Sequence, residues 1–302
     1  MAAADVQTSS TATPASAVPD YLSDPNAVLR DAVKWRYGKA PDYSNTRRVY
    51  EQTKSKNHDP NSLENIVQNL VKNWEVEASF KPRLEEWRTV DHANYTFSIN
   101  GGPPQSAEHM LKVGTYNAII AKNEFYSPET TDFAQSHKTF KRMMPTFAWE
   151  VLEVYSGPPK VAFRWRHWGT MKEDYVGYND KGEKVTAKAH GRQISIEGVT
   201  VAQVDDKIRL QKVETWFDPL EMFRQIAPNG IVNKVATPVS KMDPPAERSS
   251  TESEPLIFFE SVEALDSPGN AIVKPLESKK ASVVHEELST LMGATCPFMN
   301  KK

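Results

Sequence analysis

The fold is decided by five β-rich runs between residues 148 and 217, which read WEVLEVY (149–155), VAFRWRHW (161–168), KVTAKA (184–189), QISIEGVTVAQV (193–204) and KIRLQKVETWF (207–217). Apolar residues tend to recur at every second position, which is the period of a strand with one buried face. The segments that separate the runs are rich in turn-forming residues: SGPP (156–159), NDKG (179–182) and DD (205–206). Spacers of hairpin length predict an antiparallel meander.

Upstream of these runs, the segment NSLENIVQNLVKNWEVEASF (61–80) predicts an amphipathic helix. Seven of its apolar residues fall on one helical stripe: Leu63, Ile66, Val67, Leu70, Val71, Trp74 and Ala78. We expect Asn61 to cap the helix, with Glu64 completing a capping box, and Lys81 before Pro82 to end it. The stripe indicates that this helix covers an apolar space.

Weaker signals complete the predicted domain. They indicate a short strand at 95–99, a helix at 106–120 and a further helix at 218–226. Helices followed by a sheet predict an α+β protein, with the helices packed on one face of the sheet. We divide the chain into a disordered leader (1–34), one domain (35–228) and a partly disordered tail rich in Pro, Ser and charge (229–302), with a short helix near the C-terminus.

The composition argues against several classes of protein. The 37 Lys and Arg residues nearly balance the 39 Asp and Glu residues, so nucleic acid and anionic membranes find no obvious attraction. The single cysteine, Cys296, cannot form an internal disulfide, which favours a reducing compartment. No signal peptide and no run of roughly eighteen apolar residues is visible. We therefore expect a soluble cytoplasmic protein.

Motifs for bound cofactors are also missing from the sequence. It contains no glycine-rich phosphate loop, no His-Glu-x-x-His pair and no CxxC pair. The seven histidines are scattered without the spacing of metal ligands. We expect neither a metal nor a cofactor.

Two long segments, 161–185 and 194–226, resemble the signature of SnoaL-like polyketide cyclases: an Arg-rich strand, Gly-Thr, a Gly-containing strand, Asp-Asp-Lys-Ile and an aromatic-Asp pair. Residues 62–102, 113–120 and 147–159 are similar to the pathogen-related proteins of cereals and their fungal relatives. The resemblance covers about residues 35–227. It implies an NTF2-like fold, a cone in which helices close the concave side of a curved antiparallel sheet around a pocket for a small apolar molecule. Such folds include both enzymes and carriers, so the fold does not fix the function.

His167 is the first candidate for chemistry. Alternation along VAFRWRHW places four side chains on the predicted concave face: Val161, Phe163, Trp165 and His167. The opposite face receives Ala162, Arg164, Arg166 and Trp168. A neutral imidazole at the end of an apolar wall can act as a base or donor near pH 7. A histidine that is simply paired with a neighbouring group is the competing interpretation.

Asp218 is the second candidate, and its role as a general base is implied by the resemblance to SnoaL-like sequences. Asp218 followed by Glu221 is also a good helix N-cap, and a carboxylate bound to helix amides is a weak base. Four further residues are candidates for a proton-transfer partner, without a ranking: Asp174, His190, Tyr116 and Glu214. The predicted substrate-binding wall consists of Trp74, Tyr116, Phe163, Trp165 and Trp216.

Three functions remain open from the sequence. The first is a cofactor-independent lyase, isomerase or cyclase that acts on an apolar carbonyl compound through Asp218 and His167. The second is a non-catalytic binder of a hydrophobic metabolite in stress or defence, as the name of the pathogen-related family implies. The third is an interaction scaffold that forms a homodimer through the outer face of the sheet.

Overall fold

The computed structural model describes residues 18–231 and, for the backbone alone, residues 233–235. Its helices are α1 (Asp20–Ser23), α2 (Ser44–Thr53), α3 (Leu63–Phe80), α4 (Ala107–Val113), α5 (Thr115–Ile119), α6 (Phe133–Met143) and α7 (Pro219–Ile226). Its strands are β1 (Thr96–Ile99), β2 (Gln105–Ser106), β3 (Phe147–Ser156), β4 (Lys160–Thr170), β5 (Tyr175–Tyr178), β6 (Lys184–Ala187), β7 (Gln193–Val204), β8 (Leu210–Phe217) and β9 (Asn233–Val235).

The main sheet has six strands in the order β2-β1-β8-β7-β4-β3. Strands β3, β4, β7 and β8 pair antiparallel in that order, which confirms the predicted meander for them. The KVTAKA run behaves differently, because β6 pairs with β5 and β9 in a separate three-stranded sheet. The parallel pairing of β1 with β8 was not predicted, since no local pattern specifies a partner more than a hundred residues away.

Helix α3 lies over the main sheet, as its apolar stripe predicts. Ile66, Leu70 and Ala78 are buried in the central core. The predicted cap is wrong by one residue: Ser62, not Asn61, accepts the hydrogen bond from the Asn65 N–H, at 3.3 Å. Asn and Ser are both good N-cap residues, so the residue type alone does not decide between positions 61 and 62. In the structure the Asn61 N–H donates to the Asp59 carboxylate.

The helix predicted at 106–120 is split into α4 and α5 by Gly114, which has a φ of 91°. A Cβ atom at this position would lie 3.1 Å from the Phe133 ring, so both the backbone and the space favour glycine. Helices α2 and α6 were not predicted. Their sequences are largely polar, and the few buried side chains of α2 in particular leave a weak pattern.

The predicted leader is wrong over its second half. Residues 18–34 pack against α3, where Tyr21 and Leu22 are buried. The buried Asn73 amide donates to the Tyr21 and Asp24 carbonyl oxygens at 3.1 and 2.8 Å, and its oxygen accepts from the Val28 N–H at 3.0 Å. This segment is anchored by a side chain some fifty residues away. Residues 1–17, the predicted C-terminal helix and Cys296 lie outside the described residues.

The architecture is therefore α+β, with helices packed on a curved, mostly antiparallel sheet, in agreement with the fold prediction. The central core lies between α3 and the inner face of the main sheet. Within the described part of the chain, no helix has both the length and the apolar character needed to span a bilayer.

Candidate small-molecule site

A cavity of about 220 Å³ lies between α3 and the inner face of the main sheet. Its lining is mostly apolar. Helix α3 supplies one side of it through Leu63, Ile66, Val67, Leu70, Val71 and Trp74. The space that the helical stripe was predicted to cover is thus this cavity.

The predicted alternation in β4 is confirmed. All four residues assigned to the concave face line the cavity: Val161, Phe163, Trp165 and His167. On the opposite face, Trp168 packs against Tyr50 and Ala148 and donates its indole N–H to Thr53 Oγ1 at 2.8 Å. A single strand therefore supplies both a wall of the cavity and an anchor for α2.

The Trp165 ring lies over Gly198 of the neighbouring strand, its register partner. A Cβ atom at position 198 would come within 2.3 Å of the Trp165 ring, so only glycine leaves room for the indole. The Trp165 indole N–H donates to Thr200 Oγ1 at 3.0 Å, and Thr200 in turn is bonded to Thr215 at 2.9 Å. These contacts fix the ring as a rigid part of the cavity wall.

His167 is half-buried and lines the cavity. Its ring stacks on the Phe147 ring, with centroids 3.4 Å apart. Burial lowers the pKa of His167 to about 4, a change that the nearby Glu75 carboxylate opposes. The imidazole is therefore neutral at pH 7 and can either donate a hydrogen bond to a ligand or accept one from it.

A carboxylate that the sequence analysis missed, Glu75, also lines the cavity. Glu75 Oε1 accepts a hydrogen bond from the Tyr43 hydroxyl at 3.0 Å and lies 3.9 Å from Lys141 Nζ. It acts electrostatically on both cavity histidines, His137 and His167. The signal was present in the sequence, because position 75 lies four residues after Val71 and falls on the apolar stripe.

His137 is another ionisable side chain that lines the cavity, close to Glu75. Burial lowers its pKa to about 4, and its Nδ1 lies 3.2 Å from the Phe133 carbonyl oxygen. Tyr116 contacts His137 edge to face and stacks on Phe140. Glu75, Lys141, His137 and His167 thus form an ionisable cluster at the cavity.

Asp218 does not line the cavity, which contradicts its predicted catalytic role. It caps α7, accepting from the Leu220 N–H at 2.8 Å, and pairs with Arg224 at 2.9 Å. Slight burial raises the pKa of Asp218, but the bonds from Arg224 and Leu220 outweigh this effect and lower it. The competing N-cap interpretation is confirmed.

Trp216 was the other incorrect assignment. Four of the five predicted wall residues line the cavity: Trp74, Tyr116, Phe163 and Trp165. Trp216 is 41% exposed, because alternation in β8 directs Thr215 and Phe217 inward and Trp216 outward. Phe217, not Trp216, is the aromatic residue of β8 that lines the cavity.

Three of the four unranked partners lie outside the cavity lining. Asp174 pairs with Lys188 at 2.8 Å, His190 Nε2 bonds to the Gln225 carbonyl oxygen at 2.9 Å, and Glu214 is exposed. The fourth, Tyr116, is in the cavity. An ion pair therefore accounts for Asp174, and a hydrogen bond to the backbone accounts for His190.

The pathogen-related protein of Hordeum vulgare is 34% identical to this chain over an alignment of 192 residues, and the alignment covers 61% of this chain and 78% of that protein. The chain belongs to the pathogen-related protein family. No family model matches it.

Solved structures similar to this pathogen-related family member include two proposed polyketide cyclases. The first is a SnoaL-like protein from Jannaschia sp. CCS1 that is 12% identical to this chain. The superposition covers 57% of this chain and 98% of that protein, with a TM-score of 0.32. The other, IdmH from Streptomyces antibioticus, is 14% identical with coverages of 52% and 95% and a TM-score of 0.33. TM-scores at this level support no inference about activity.

The site of this pathogen-related family member combines an apolar enclosure with an ionisable cluster. Among the described residues, no group of three or more His, Cys, Asp or Glu side chains is placed to hold a metal ion. Apolar walls bind by excluding water, while a few polar groups orient the bound molecule. The arrangement is suited to a small molecule with limited polarity.

Proposed function

We propose that this chain binds an uncharged, mostly apolar small molecule in the cavity beneath α3. The observation that carries the proposal is the cavity itself, about 220 Å³ with a mostly apolar lining. Pockets for drug-sized ligands hold roughly 300–1,000 Å³, so the molecule expected here is smaller than those. The neutral histidines give an anion no positive partner at pH 7, and the Lys141 ammonium lies 3.9 Å from the Glu75 carboxylate, so an uncharged ligand is favoured.

Calorimetric titration with 1-tetralone, a compact apolar ketone, tests this proposal. We expect saturable binding that the Ala202→Phe variant loses, because Ala202 lines the cavity on β7 and the added ring fills the space. The expected loss of affinity is more than about tenfold, since the phenyl group displaces the ligand.

Val201→Phe is the matched control. Val201 is the neighbouring residue on the opposite face of β7 and does not line the cavity, so the same ring added there should leave binding unchanged. Equal affinity of the wild type and a folded Ala202→Phe protein would contradict binding in this cavity.

Acid–base catalysis is the second candidate function, favoured by the presence of Glu75 and His167 in one cavity. Glu75 would take a proton from the carbon next to a bound carbonyl group, leaving an enolate. Return of a proton from the Glu75 carboxyl group to carbon would complete an isomerisation or exchange. His167, neutral at pH 7, would donate or accept a hydrogen bond during this step.

Deuterium exchange at C2 of 1-tetralone in D₂O separates this catalyst from a simple binder. We expect the wild-type protein to accelerate exchange and Glu75→Gln to reduce the acceleration at least about a hundredfold, the usual contribution of a general base. Binding of 1-tetralone by both proteins serves as the control. Exchange at the buffer rate with bound ligand would exclude Glu75 as a base and leave the binding function.

Other expectations from the sequence remain part of the proposal. We propose a cytoplasmic location and a role in stress or defence, the latter from the name of the barley relative. A homodimer stays a prediction, and the exposed Trp216 on the outer face of β8 is compatible with it.

A further inference from the structure

Two polar atoms in the cavity wall have no hydrogen-bond partner among the described residues. They are the indole nitrogen of Trp74 and the hydroxyl oxygen of Tyr95, both fully buried atoms of cavity-lining side chains. Tyr95 is only 4% exposed. A buried donor without a partner is costly, so such groups are rarely left unpaired in a folded protein.

The two groups are neighbours. Burial raises the pKa of the Tyr95 hydroxyl, and the adjacent Trp74 N–H, which faces the hydroxyl without completing a hydrogen bond of normal geometry, lowers it in part. The other tryptophan described above, Trp165, donates its N–H to Thr200 and so is already satisfied. Trp74 and Tyr95 therefore place two adjacent donors on the cavity wall, neither of which makes a hydrogen bond of normal geometry with a described residue.

The charge around this pair is also distinctive. Among the described residues, no charged group acts on the Tyr95 hydroxyl, whereas Glu75 acts on the hydroxyl of Tyr116 elsewhere in the cavity. A charged ligand group would lose its hydration here and gain only two neutral donors. An uncharged acceptor suits the pair better.

We infer that the Trp74 N–H and the Tyr95 O–H form a subsite for a carbonyl oxygen of the molecule that the cavity binds. An indole N–H only donates, and a carbonyl oxygen has two lone pairs that accept from both groups. The inference rests on the proposed binding function and narrows its ligand class to uncharged carbonyl compounds. It also sets the orientation of the ligand, with the oxygen at Trp74 and Tyr95.

Paired titrations with 1-tetralone and tetralin, the same skeleton without the oxygen, test the subsite. We expect the wild type to bind 1-tetralone about tenfold more tightly than tetralin, the effect of one to two net hydrogen bonds. Tyr95→Phe and Trp74→Phe should each lose most of this preference. Tyr95→Phe should keep its affinity for tetralin, because only the hydroxyl is removed.

Tyr21→Phe is the matched control, since Tyr21 is buried but does not line the cavity. It should retain the preference for the ketone. A wild-type protein that binds both compounds equally, or a preference that survives in Tyr95→Phe and Trp74→Phe, would overturn the subsite while leaving the binding function standing. Binding of neither compound would overturn both.

Discussion

Replacing Lys81 by Met is expected to lower the free energy of unfolding by about 3–5 kcal/mol, which is the usual cost of breaking a buried ion pair. Lys81 and Glu77 both have fully buried side chains, and their charged atoms lie 2.8 Å apart. The Lys81 ammonium also donates to Asp31 at 2.6 Å and to the Glu86 carbonyl oxygen at 2.8 Å. All three of its protons are therefore used.

The variant leaves the Glu77 carboxylate in the interior without its cation. Glu77 still accepts from the backbone N–H groups of Arg88 and Thr89, at 2.7 and 3.0 Å, but these do not neutralise it. This cluster joins the end of α3 to residues 86–89 and to the N-terminal segment. Loss of the cation should therefore weaken the packing between the end of α3, residues 86–89 and the N-terminal segment.

Urea unfolding followed by circular dichroism measures the effect, with Lys188→Met as the control. Lys188 forms an ion pair with Asp174 of the same length, 2.8 Å, but its side chain is 70% exposed. Exposed pairs contribute roughly 0–1 kcal/mol, so this variant should be nearly neutral. A cost below about 1 kcal/mol for Lys81→Met would contradict the role assigned to the buried cluster.

Replacing Lys72 by Met is expected to have the opposite effect and to stabilise the protein by about 2–4 kcal/mol at pH 7. Lys72 is 3% exposed, and no described carboxylate pairs with it. Its ammonium lies over the Tyr50 ring, 3.4 Å from the centroid. Burial lowers the pKa of Lys72 from the usual 10.5 to about 7, and the nearby Arg47 adds to this effect.

The stabilisation should depend on pH in a defined direction. Between about pH 7 and 10.5 the unfolded Lys72 holds a proton that the folded one has released, so the stability of the wild type rises with pH. The advantage of the Met variant is full below pH 7 and should shrink by about 1 kcal/mol per pH unit above it. Thermal unfolding of both proteins from pH 6 to 9 measures the difference.

Lys160→Met, at an exposed position on β4, is the control and should change stability by less than about 0.5 kcal/mol. A Lys72→Met protein that is less stable than the wild type at pH 7 would show that the cation over Tyr50 stabilises the fold. Cation–π contacts contribute up to roughly 2 kcal/mol, which we expect to be smaller than the cost of burial.

Periodicity predicted the walls of the cavity well. Alternation in β4 and the stripe on α3 identified Phe163, Trp165, His167 and Trp74, because both patterns record which side of an element is buried. Trp216 was predicted in the wall from its aromatic character, whereas the same alternation in β8 turns it outward. Glu75 was missed because only the apolar members of the helical stripe were followed.

Local contacts explain one of the remaining failures, and long-range contacts explain the other two. The resemblance implied a catalytic role for Asp218, whereas its local contacts with Leu220 and Arg224 decide its position. The N-terminal segment has no strong pattern of its own and is held by Asn73, and the pairing of β1 with β8 has no local cause either. Such contacts become visible only when the chain is folded.

A crystal structure of the full chain soaked with 1-tetralone tests the central claim most directly. We predict the ketone in the cavity beneath α3, with its oxygen within about 3.5 Å of Trp74 Nε1 and Tyr95 Oη and its ring against Phe163 and Trp165. Ligand bound only outside this cavity, in crystals grown from a protein that binds it in solution, would contradict the claim.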